Sequence, residues 1–161
     1  MNRKEILSLA LLIAIMPPIW AVVSPYLGNT VGPVALIIAG IYGANGNKWE
    51  DAHKMALGFL AGDLWAYAVT VIMSATPFNA DLTLFALLAV FGFLAVVISQ
   101  TLPSFFNMPA WLAGWAIGML AMNLDKVTPL MSLTAQIGAA MLVGVYYVGA
   151  LIDKIHRIIN K

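Results

Sequence analysis

The chain has no cysteine, only two histidines, and a charged residue at just 9% of its 161 positions. The first absence excludes disulfides, thiolate metal centres and thiol catalysis. The two histidines, His53 and His156, stand far apart beside charged residues, so neither a metal site nor a resident cofactor is expected. The scarcity of charge excludes an ordinary soluble domain, in which about a quarter of residues are charged. With a net charge of +1 and no basic run, the chain offers no footprint to nucleic acid. Enzyme chemistry is also unexpected. Ser74, Ser99, Ser104 and Ser132 have no histidine near them in sequence, and no Gly-rich phosphate loop or intramembrane carboxylate pair occurs.

What the chain does have is apolar surface. Hydrophobic residues make up 62% of it and mean hydropathy is +0.92, in stretches that recur along its whole length. That pattern predicts an all-α polytopic membrane protein whose first partner is the lipid bilayer. The start "MNRKEILSLALLIAIM" has the basic-then-apolar form of a signal peptide, but no small-x-small cleavage site follows, and a retained first span is expected. Six segments qualify as spans, at about 6–24, 33–46, 55–75, 82–102, 109–123 and 133–152. Six spans place both termini on one side together with Arg3, Lys4, Lys48, Lys54, Lys154, Arg157 and Lys161, and leave only Lys126 opposite. The positive-inside rule then puts both termini in the cytoplasm, in the inner (plasma) membrane.

The chain also resembles itself. At a shift of 78 residues, Pro25 meets Pro103, Asn29 meets Asn107, Gly40 meets Gly118, Asn45 meets Asn123 and Lys48 meets Lys126. With four more residues in the next loop, Leu60, Gly62 and Ala68 match Leu142, Gly144 and Ala150, and Trp65 falls on Tyr147. Chance agreement between two Leu/Ala/Gly-rich stretches is the bland alternative, but Pro, Asn and Lys are scarce here. A duplication would give one membrane domain of two three-span repeats, about 1–75 and 82–157. An odd number of spans makes the repeats inverted, the plan of many transporters and channels.

From Pro33 to Asn45 and from Pro109 to Asn123 there are only 13 to 15 residues. They cover about 20 Å, well short of a bilayer core. Broken or half-membrane helices are therefore expected, entered through "PYLGNTVG" and "PSFFNM", with a further break at Pro17 and Pro18. The alternative is short tilted helices in a thinned bilayer.

Asp63 is the candidate of first rank. It lies about eight residues into the third span, roughly 12 Å along it, with no basic partner in any span. It would carry a proton, touch water, or bind a cation or a solute's donor group. The structural alternative is a neutral carboxyl bonded to Tyr67, Gln100 or Gln136. Its repeat mate is Val145, so the acid belongs to one half only. Asn29 and Asn107 could offer a solute donors and acceptors, or serve as turn residues. For Asn45 and Asn123 a helix cap is the expectation. Trp65, Phe105 and Phe106, with Trp20, Trp111 and Trp115, would narrow a solute slot or simply pack, and Trp49 reads as an interface anchor. Gly58/Gly62 and Gly114/Gly118 form Gly-x-x-x-Gly pairs that permit close helix approach.

With "IWAVVSPYLG", "GDLWA" and "PAWLAG", the whole chain resembles the small bacterial inner-membrane proteins of the domain of unknown function 1097 family. That resemblance implies a polytopic inner-membrane protein and carries no settled activity. "AGIYGANG" followed by "TPFN", with "TLPSFFN" as a loose second signature, is similar to short motifs of bacterial urea transporters. Those are trimeric channels with inverted repeats and half-membrane helices, although here the motifs stand closer together and the chain is far shorter.

The expectation is therefore a channel or facilitator for a small, mostly neutral polar solute of urea or amide type, contacted by Asp63, Asn29, Asn107 and Gln100 between two inverted halves. A homo-oligomer such as a trimer is expected. The alternatives are a proton- or cation-coupled transporter using Asp63, and a membrane scaffold or accessory subunit that transports nothing.

Overall fold

The computed structural model describes residues 3–161, and among them every regular element is helical. The order is α1 (Arg3–Val23), a 3-10 turn (Ser24–Leu27), α2 (Val34–Ala44), a 3-10 turn (Trp49–Asp51), α3 (Ala52–Ala75), α4 (Ala80–Thr101), α5 (Met108–Leu124) and α6 (Leu130–Val143). A π-helical segment (Gly144–Leu151) carries α6 without interruption into α7 (Ile152–Ile159). Among the described residues, four stretches are long and apolar enough to cross a membrane: Arg3–Leu27, Trp49–Ala75, Ala80–Thr101 and Leu130–Ile159. Helices α2 and α5, with 11 and 17 residues, are the short ones, at the two places where the sequence predicts shortness.

One expected break is not there. Helix α1 runs straight through Pro17 and Pro18. Each proline removes its own N–H bond and crowds the carbonyl four residues back, but its φ is already helical. Unwinding neighbouring residues in an apolar medium would leave further N–H and C=O groups unpaired. The chain turns ten residues after Pro18, where the 3-10 turn ends on Gly28 at φ 75°. The exit of α2 uses the same left-handed device, Gly46 at φ 85° and Asn47 at φ 52°.

The chain divides into two compact units, one of residues 1–52 and 139–161, the other of residues 53–138. In the first, α2 packs on the π segment and α1 on α7. A Cβ on Gly144 would meet the Ala35 carbonyl and Ile38 Cβ, each at 2.6 Å, and one on Gly149 would meet the Tyr42 ring at 2.6 Å. Residues five apart in an α-helix point about 140° away from each other. In a π-helix, where hydrogen bonds run i to i+5, they return to nearly the same face. The π segment is what lets both glycines admit α2. Tyr147 donates its hydroxyl to the Met16 carbonyl at 3.2 Å, and Trp20 donates to the Gly32 carbonyl at 2.9 Å.

In the second unit, α3 and α5 approach through glycine on both sides. A Cβ on Gly62 would strike the Trp111 carbonyl and the Trp115 N–H, and would stand 2.8 Å from the Gly114 carbonyl carbon. One on Gly58 would come within 2.7 Å of the Asn107 carbonyl, one on Gly114 within 2.8 Å of Phe59 Cα, and one on Gly118 within 2.6 Å of Ala66 Cβ. Trp65 donates its indole N–H to the Phe91 carbonyl at 3.0 Å, tying α3 to α4. Apolar positions on α1 and α4 stay largely uncovered: 11% of the apolar stretch of each is buried, against 44% and 56% for the spans of α3 and α6.

Candidate functional site

Asp63 sits on α3 within the α3/α5 seam, and only 3% of its surface is exposed. Its neighbours explain why a carboxylate fits. Gly118 of α5 leaves the space in which Oδ1 lies, 3.1 Å from where a Cβ would stand, and Gly138 of α6 does the same for Oδ2 at 3.4 Å. Ala66, one turn away on α3, stands beside Gly118, and Leu60 stands beside Gly138. Oδ1 is buried and has no hydrogen-bond partner among the described residues. The three partners considered from sequence do not reach it: Gln136 donates to Ser132 Oγ at 3.3 Å, Gln100 is exposed on α4, and Tyr67 makes no such bond. An anionic carboxylate so placed costs several kcal/mol. A proton, or a ligand's cation or donor group, is what would neutralise it.

The indole N–H groups of Trp111 and Trp115, on the same α5, are likewise buried without partners. Their rings belong to an aromatic cluster. Trp65 meets Phe91 edge-on at 4.9 Å and Trp111 at 5.3 Å, while Phe106 lies 4.8 Å from Trp111. Phe105 points outward, 56% exposed. Of the aromatics proposed for a slot, Trp65 and Phe106 are packed and Phe105 is not part of the cluster.

The two repeat-related asparagines serve local backbone. Asn107 caps α5, its side-chain oxygen accepting from the Ala110 N–H at 2.9 Å, and its own N–H bonds the Lys54 carbonyl at 3.2 Å. Asn29 is buried, and its side-chain oxygen accepts from the Val31 N–H at 3.0 Å. Asn45 ends α2 as expected, its amide 3.4 Å from Asp51, whereas Asn123 lies inside α5. Trp49 is 55% exposed beneath the Lys154 ammonium, 5.6 Å from the ring centre.

Two features are invisible in sequence. Ser8 and His156 come within 3.0 Å across 148 residues, joined by the Asn160 amide, which donates to Ser8 Oγ at 2.8 Å. The Ser8 hydroxyl donates to the Glu5 carbonyl, so the pair ties α1 to α7. The second feature is a recess of about 620 Å³ in the second unit, between α3, the start of α4 and the end of α5, which holds Thr70, Ser74, Asn123 and Lys126. The first unit has a smaller one of about 260 Å³ between α1, α2 and the π segment, lined mainly by apolar residues with Asn47 and Asp153.

Membrane-length apolar helices joined to two shorter apolar ones mark the class as a helical, polytopic integral membrane protein. The chain belongs to the family described as Protein of unknown function (DUF1097), whose model matches residues 10–156. No curated protein and no solved structure matches it.

Proposed function

We propose that the chain is a small-solute transporter of the inner membrane, with Asp63 as the group that binds a proton or the solute's donor. The observation that carries this reading is the unpartnered Oδ1 of a buried carboxylate. The other half of the chain seats Val145, fully buried, at the equivalent position, so the helix contact there needs no acid. A polar group that costs stability and serves no packing role inside a span is a functional candidate.

The inverted-repeat plan draws support from matched contacts. Gly62 admits residues 111–115 of α5, and its mate Gly144 admits residues 35–38 of α2, which the shift of 78 aligns to within a turn. Trp65 donates to a backbone carbonyl of α4, the first long helix of the second repeat, and its mate Tyr147 to one of α1, the first long helix of the first repeat. Both termini lie in the cytoplasm on this reading, and the uncovered apolar faces of α1 and α4 leave room for a homo-oligomer such as a trimer.

Coupled transport is favoured over a passive pore. A facilitator needs amides free to pass a solute along, and the side-chain oxygens of Asn29 and Asn107 accept from their own turns. The acid remains, and an acid that must be neutralised suits proton or cation coupling. No catalytic role enters this reading.

Uptake into proteoliposomes tests it, with labelled urea and acetamide as probes and an imposed proton or sodium gradient. Gradient-driven uptake by wild type that vanishes in Asp63→Asn supports coupling. Equal downhill flux in both proteins identifies a plain pore, and no flux in either identifies the scaffold.

A further inference from the structure

The recess of the second unit is built unevenly. Its wall is apolar, from Val69 and Met73 of α3, Leu84 of α4, and Met119 of α5. Apart from Thr70, whose hydroxyl donates to the Ala66 carbonyl at 2.8 Å, its polar groups belong to the ends of α3 and α5: Ser74 in the last turn before Ala75, Asn123 in the last turn before Leu124, and Lys126 just beyond. The Lys126 ammonium donates to the Met122 carbonyl at 3.2 Å, which occupies one of its three N–H groups. The neighbouring Asp125 does not take the others, because its carboxylate is spent on the Val127 and Thr128 N–H groups and the Thr128 hydroxyl, at 3.0, 2.9 and 2.7 Å. No acidic side chain lines the recess among the described residues. A cation with donors to spare, an amide beside it and an apolar wall running inward together match an anion that carries a short apolar chain. A volume of about 620 Å³ is also the size of an ordinary small-molecule site.

We propose that this recess binds a short aliphatic carboxylate, its head group on Lys126 and Asn123 and its chain against Met73, Leu84 and Met119. Lys126 is the recognition residue. Its repeat mate Lys48 has no such role, since it does not line the smaller recess of the first unit, which holds Asp153 instead. The site does not depend on Asp63, which faces the α3/α5 seam and does not line the recess. It stands or falls separately from the transport reading.

Equilibrium dialysis of labelled hexanoate against the full chain in phosphatidylcholine nanodiscs tests the proposal. Saturable binding is expected, with no competition from hexanol. Lys126→Gln should weaken binding about tenfold or more, as loss of a charge-assisted hydrogen bond does, and Lys126→Arg should retain it. Leu84→Trp, which fills the recess from a lipid-facing helix, should also weaken it, whereas Lys48→Gln and Asp63→Asn should bind as wild type does. Nanodiscs containing phosphatidylglycerol separate the two sources of such an anion. Retained hexanoate binding assigns the site to a soluble acid, and displacement assigns the same chemistry to a lipid head group. Absence of saturable hexanoate binding, or binding that survives Lys126→Gln in a folded protein, would overturn the proposal.

Discussion

The first unit closes its helix seam on Gly144 and Val145, and the second closes the equivalent seam on Gly62 and Asp63. Both glycines do the same physical job, letting a short helix lay its backbone against a long one, where dispersion between closely packed backbones holds helices together in lipid. The residues that follow them differ in kind. Valine fills its seat with apolar contacts, and aspartate fills the corresponding seat with an oxygen that has nothing to bond. The second unit also needs Gly118 and Gly138 to make room for the carboxyl, while at Gly40, the mate of Gly118, nothing lies within 4 Å of where a Cβ would stand. The pair thus separates what the architecture requires, a glycine at the crossing, from what one half has added, an acid with space cut for it.

The largest effect should come from the shared element. Gly62→Ala drives a methyl into the Trp111 carbonyl and the Trp115 N–H, which are backbone and cannot step aside, so a loss of about 3 kcal/mol or more is expected in reversible unfolding in detergent. Gly144→Ala should behave likewise. Gly40→Ala, with open space around it, should be neutral or gain up to about 1 kcal/mol from helix propensity. If Gly40→Ala proved as harmful as Gly62→Ala, the glycines would matter for something other than these crossings.

Placing the acid in the other half comes next. Val145→Asp should cost about 3 kcal/mol, the penalty for burying an unsatisfied polar group at a site without the space made by Gly118 and Gly138. The aromatic ties are smaller. Tyr147→Phe removes one hydrogen bond to a carbonyl and should cost about 0.6 kcal/mol, the usual scale inside membranes. Trp65→Phe removes the equivalent bond and also indole volume packed on Phe91 and Trp111, so it should cost more, about 1–2 kcal/mol; equal costs would argue that the Trp65 ring adds no packing.

The smallest expected effect concerns the loop after α5. Asp125 is held below the ordinary aspartate range by the Thr128 N–H, the Thr128 hydroxyl and the Val127 N–H. A lowered folded value means that its contribution is present above about pH 4 and fades as the pH falls through that folded value. Hydrogen-exchange protection of the Val127 and Thr128 amides should fall over that range. The corresponding loop of the first unit, with the non-titrating Asn47 in the equivalent place, should not change.

Much of the fold was legible from residue chemistry. Apolar runs of span length, the loops that hold the charge, and the Pro- and Asn-bounded short segments led to six helices with two short ones in the observed places. The Gly-x-x-x-Gly spacing picked out Gly58, Gly62, Gly114 and Gly118, because four residues return to one face of an α-helix. The same rule could not find Gly144 and Gly149, whose spacing of five serves one face only once the helix widens to π geometry, and nothing in the residue types announces that widening. Pro17 and Pro18 misled because propensity says little about the cost of opening backbone in an apolar medium. At the site, Asp63 announced itself as a lone charge in an apolar run. Its surround did not, since Gly118 and Gly138 lie 55 and 75 positions away in the chain. Ser8 with His156, and the wall of the Lys126 recess, are likewise products of tertiary packing.

The central claim is that Asp63 stands in a seat the architecture would rather fill with valine. Reversible unfolding of Asp63→Val beside wild type tests it most directly. Equal or greater stability, by up to about 2 kcal/mol as an uncompensated polar group is removed, is the predicted result. A loss of about 2 kcal/mol or more would show that the carboxyl holds the second unit together, and the functional reading of Asp63 would be contradicted.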